Sequence, residues 1–232
     1  MRSHIDLRRL AYAVPVLLAA MAVGGAAAIP AEASDPAAGL EPAALARAKA
    51  IRTHVNARYR QAPGRKLVVT EATTTGVIES FTLLSGDLLE ARTVPAANGI
   101  WFAICPARAR CPYPGRRFAR PAADFLPRRL ALELAVRAFS ETSASLVAVG
   151  LPTPGFTMLV VERDELPDLA ALAKTLRGTP PTSRLDVVDQ LTRPRVYVPM
   201  GLVPTPSGGE TLIALPRWPE EASMRIDERR GP

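Results

Sequence analysis

The sequence predicts an α+β fold: a single two-layer domain with about three helices on one face of a curved antiparallel sheet. Three observations lead there. Four short segments rich in β-branched and apolar residues follow one another between residues 66 and 105, separated only by turn residues. Helical-period segments flank the strand groups instead of alternating with single strands, which excludes a run of βαβ units. Beyond an apolar N-terminal stretch, about two hundred residues remain, enough for one sizeable core.

That N-terminal stretch stands apart from the fold. Arg2, Arg8 and Arg9 precede Leu10 to Ile29, which contains no charge, and the sites Ala26-Ala27-Ala28 and Ala31-Glu32-Ala33 close it. A basic start, an apolar middle and an A-x-A site form the pattern of a secretory signal peptide. Cleavage after Ala33 is expected, leaving 34–40 as a disordered lead, 41–215 as the domain and 216–232 as a charged tail. The alternative is an uncleaved anchor helix, since about twenty apolar residues span a bilayer. Pro15, Gly24, Gly25 and the abundant alanine weigh against it. In both readings the arginines stay inside and the rest of an exported bacterial chain crosses. Arg8-Arg9 is poorly continued for twin-arginine export, and no cysteine near the cleavage site suggests lipidation.

The first helix is expected over 41–62. Pro42 suits its first turn, Leu45, Ala48, Val55 and Tyr59 recur at helical spacing, and Pro63-Gly64 stops it. Strands follow over 66–72, 77–84, 88–94 and 100–105; the intervening Gly76, Ser85-Gly86-Asp87 and Asn98-Gly99 suggest an antiparallel meander. An irregular Arg- and Pro-rich loop covers 106–121. A second helix spans 124–141, with Leu130, Leu134 and Phe139 turned inward. Strands over 146–151 and 156–162 form a hairpin. A third helix covers 164–177, with Gly178 as its C-cap. A short helix over 182–191 and late strands over 196–198 and 211–215 complete the order.

The chain is basic, with net charge +7, and Lys49, Lys66 and Lys174 are its only lysines. Abundant Arg, Ala and Pro is what a GC-rich genome writes, so basicity alone is weak evidence for an anionic partner. Nucleic acid is not expected as a partner of an exported chain.

Cys105 and Cys111 are the only cysteines, and outside the cytoplasm an isolated close pair is expected to form a disulfide. His54, the only histidine after the leader, reads as a helix-surface residue. Glu162, Asp164 and Glu165 at a strand-to-helix junction read as capping acids, and Ser207-Gly208-Gly209 as a turn. No cofactor, metal site or catalytic motif is predicted.

The anion-binding candidates are Arg108, Arg110, Arg116, Arg117 and Arg120, in a region through Arg129 that also holds Arg128 and interleaves Tyr113, Phe118 and Phe125. Guanidinium groups recognise phosphates and carboxylates bidentately, so anionic phospholipid or wall polymer is the partner class considered. The leading functional expectation is an exported, non-enzymatic binding module of the cell envelope. The alternatives are a carrier of an apolar ligand held between sheet and helices, and a hydrolase whose site the sequence does not reveal.

Overall fold

The computed structural model describes residues 42–60, 67–84, 90–106, 125–153 and 157–217. In chain order these form α1 (Pro42–Arg60), β1 (Leu67–Thr74), β2 (Ile78–Leu84), β3 (Ala91–Pro95), β4 (Gly99–Pro106), α2 (Phe125–Glu141), β5 (Leu146–Leu151), β6 (Thr157–Glu162), α3 (Leu169–Gly178), α4 (Asp186–Thr192), β7 (Val196–Pro204) and β8 (Glu210–Pro216). The class is α+β. The eight strands make one sheet in the order β1-β4-β5-β6-β7-β8-β2-β3.

Two sequence expectations about that sheet are corrected. It is mixed, because β4 pairs parallel with β5 and β2 with β8. Nor do the first four strands form a meander: β1 pairs with β4, and β2 with β3. Gly76 and Asn98-Gly99 do make turns, but each turn passes the chain from one end of the sheet to the other.

This routing dictates the shape. β1 and β2 stand six places apart in the sheet, as do β3 and β4. In a flat sheet six spacings amount to about 29 Å. Yet only Thr75–Val77 joins β1 to β2 and only Ala96–Asn98 joins β3 to β4, and four extended residues reach at most about 14 Å. The sheet must therefore curl until its two ends meet. The corner where they meet is hydrogen-bonded throughout. Thr75 Oγ1 donates to Ala96 O at 2.7 Å, Gly99 N to Ala96 O at 2.8 Å, Ala96 N to Glu79 O at 2.8 Å and Thr75 N to Gly99 O at 3.3 Å.

Curling gives the sheet two buried faces. The convex layer packs on the helices through Ile51, Val55, Tyr59, Phe102, Leu134 and Phe139 among others. The concave face closes on itself: Phe81, Leu83, Val94 and Leu212 from one limb meet Leu146, Ala148, Met158 and Val160 from the other. β5 and β6 lie between both layers, which is why they are apolar at nearly every position rather than alternating. A fully buried side chain the size of Phe81 contributes about 1.5–3 kcal/mol.

The sheet's edge at β1 is covered by α1. Asn56 donates from Nδ2 to Val69 O at 2.9 Å and accepts from Val69 N at Oδ1 at 2.6 Å. One side-chain amide thus replaces a neighbouring strand at that residue, and Arg52 Nη1 donates to Thr70 O one position on. Elsewhere the expected helices shift. Residues 163–165 form a single 3-10 turn, and α3 starts only at Leu169, capped by Asp168 accepting from Ala171 N at 3.0 Å. Pro167 explains the break, since proline disfavours helix at the residue before it. Gly178 is the last helical residue, not a left-handed cap. β7 and β8 are longer than expected, and β7 accommodates Pro199 and Pro204 where no described strand lies along its second side.

No helix among the described residues is long and apolar enough to cross a membrane. The N-terminal segment expected to be a signal peptide or anchor lies outside those residues.

Two glycines give opposite tests, Gly99 at the corner and Gly178 at the end of α3. A Cβ on Gly99 would stand 2.8 Å from Ala96 O and 2.5 Å from Thr75 Cγ2, and both neighbours are fixed by the corner's hydrogen bonds. Gly99→Ala is expected to destabilise by about 1–3 kcal/mol. A Cβ on helical Gly178 would meet nothing within 4 Å, so Gly178→Ala should be neutral or stabilising by up to about 1 kcal/mol. Urea unfolding of the two variants beside the parent checks both signs.

Candidate functional site

The segment singled out by the sequence is held between two posts. β4 ends at its first post, with Cys105 opposite Val68 and Pro106 opposite Leu67. Cys105 is buried, with Sγ 3.5 Å from Thr70 Oγ1. α2 begins at the second, at Phe125. Arg108, Arg110, Arg116, Arg117, Arg120 and Cys111 all lie between the posts, outside the described residues.

Arg128 and Arg129, at the end of the arginine-rich region, do not belong to an exposed loop. Both sit on α2 and are buried. α2 is enclosed by α1, α3, α4 and the sheet, and it is buried on every face from Pro127 to Phe139, Arg137 excepted. A charge on such a helix must find its partners inside. Arg128 reaches α4, donating to Asp189 Oδ1 at 2.6 Å and Thr192 Oγ1 at 2.8 Å. Arg129 is 0% exposed and donates to Ser183 O at 2.5 Å, Thr179 O at 2.8 Å and Thr179 Oγ1 at 2.7 Å. Glu133 is 1% exposed and accepts from Arg58 Nη1 at 3.0 and 3.1 Å and from Tyr59 OH at 3.1 Å. Burial, followed by the Glu133 charge, pushes the Tyr59 hydroxyl far above its ordinary range, so it stays a donor.

The sequence signal for this network was present but unread. Arg129, Glu133 and Arg137 recur every fourth residue on a helix whose other residues, apart from Arg128, Ser140 and Glu141, are apolar, and such a stripe fits an exposed face equally well. Burial of the stripe follows only from α1 and α3 packing over it.

The acids at the end of β6 have arginine partners. Glu162 and Glu165 pair with Arg92 of β3, the latter at 3.1 Å, and Glu165 Oε2 accepts from Arg195 Nε at 3.0 Å. Glu162 N donates to Glu165 Oε2 at 3.4 Å, the reciprocal cap expected of acids at such a junction. Burial raises the Glu162 pKa, and Glu165 and Asp164 add to that against the opposing Arg92 charge. Burial works against the Arg92 charge, but Glu165 and Glu162 outweigh it and its pKa rises. The arrangement ties the edge strand β3 to β6 by charge. It contains no nucleophile beside a base.

His54 lies on the exposed side of α1. Ser207-Gly208-Gly209 forms the β7–β8 turn, with Gly208 at φ +88° and its N–H donating to Thr205 O at 3.1 Å. Its Ser207 hydroxyl and that of Thr205 donate to Glu79 at 2.5 and 2.7 Å and lower the Glu79 pKa. No group of three or more metal-ligating side chains occurs among the described residues.

Asp189 makes the α2–α4 contact sensitive to acid. Burial works against its charge, but the hydrogen bond and charge of Arg128, with Arg184 and Arg193, outweigh this and hold its carboxyl below the usual range. A folded-state pKa below the unfolded value of about 3.9 contributes stability that is complete above that pH. It is lost as the pH falls through the folded value. Asp189→Asn should therefore flatten the acid limb of a stability–pH curve measured by urea unfolding, while an unchanged slope would remove Asp189 from it.

No family model matches the chain, and no curated protein or solved structure matches it either.

Proposed function

We propose that the chain is an exported, non-enzymatic binding module that contacts anionic components of the cell envelope through Arg108, Arg110, Arg116, Arg117 and Arg120. The observation that carries this reading is a contrast in how arginine is used. Within the described fold, Arg58, Arg92, Arg128, Arg129, Arg163 and Arg195 are committed to carboxylates or backbone carbonyls. The residues between β4 and α2 carry five more arginines against Asp124 alone, joined to two posts of the fold. Planar guanidinium groups so concentrated suit phosphate or carboxylate groups on a polymer or membrane surface.

Two further considerations support a module over the alternatives. The layer between sheet and helices, where a carried ligand would sit, is occupied by Ile51, Tyr59, Phe102, Leu134 and Phe139. The most enclosed acids, Glu133 and Glu165, are held by arginine, which suits anchoring more than proton transfer. Export belongs to the same proposal and rests on the Arg2–Ala33 pattern, with the segment either cleaved or kept as an anchor. So does a Cys105–Cys111 bridge, which would close a short loop at the first post and contribute about 2 kcal/mol.

Replacing Arg116, Arg117 and Arg120 together by serine should abolish salt-sensitive binding to phosphatidylglycerol liposomes or wall polymer in a sedimentation assay. Binding that persists at the parent level would sink the assignment. The bridge predicts no alkylatable thiol in the non-reduced protein by mass spectrometry, and two alkylated cysteines would refute it.

A further inference from the structure

We draw no further inference here: the strongest candidate, the apolar surface patch of Met200, Leu202 and Val203 on the far half of β7, carries none because nothing in the structure shows what covers it.

Discussion

The curl of the sheet is the constraint on which the rest depends. Two three-residue links, Thr75–Val77 and Ala96–Asn98, tie strands that stand six places apart. Once the ends of the sheet are joined, the concave face has to be filled from both limbs, and Phe81, Val94, Met158 and Leu212 fill it. The convex face still needs helices, so β5 and β6 become apolar on both sides. Pairing within the sheet is thinnest between β6 and β7, which share two residue pairs among the described residues. Corner and double core are thus one consequence of how the chain is routed.

A second constraint comes from the helices. Each helix leaves four carbonyls unsatisfied at its C-terminus, and the negative end of its dipole favours a cation there. In α2, α3 and α4 that cation is an arginine. Arg163 donates to Phe139 O at 2.6 Å, Thr142 O at 2.7 Å and Ala144 O at 2.9 Å at the end of α2, with its guanidinium 5.3 Å from the Phe139 ring centroid. At the end of α3, Arg58 meets Leu176 O at 2.8 Å and Thr179 O at 2.5 Å, beside Arg129. At α4, Arg195 meets Leu191 O at 2.7 Å. Left-handed glycine caps are not used there, which is why Gly178 keeps helical geometry.

These two constraints separate what was legible in the sequence from what was not. Local signals were legible: Pro42 and the period of α1, the apolar runs of β5 and β6, the glycine turns and the acids capping the junction after β6. Partners distant along the chain were not. Nothing local distinguishes a hairpin turn at Asn98-Gly99 from a corner between sheet ends, because the hydrogen bond closing the turn is the same. Arg58 lies 118 residues from the carbonyl of Leu176 it caps, and no spacing rule reaches that far. Arg128 and Arg129 looked like the last members of an exposed cluster, since only the packing of α3 and α4 over α2 buries them. Pro199 and Pro204 concealed the length of β7, because a proline in a strand is informative only once the strand's hydrogen-bonded neighbours are known.

Arginine composition therefore carries more than codon bias. A lysine at position 58 would present a single ammonium, whereas the guanidinium there joins the Glu133 carboxylate to the last carbonyls of α3 in one plane. The same holds at Arg163, where one side chain binds three carbonyls, and at Arg195, which joins Glu165 to Leu191. Several acceptors at fixed separations need a rigid fork of donors, and only arginine has one. In the interior, then, arginine is selected by geometry. That changes the weight of the remaining cluster between β4 and α2: a fold that places guanidinium groups against specific acceptors at so many buried positions gives less reason to dismiss five more in succession as compositional drift.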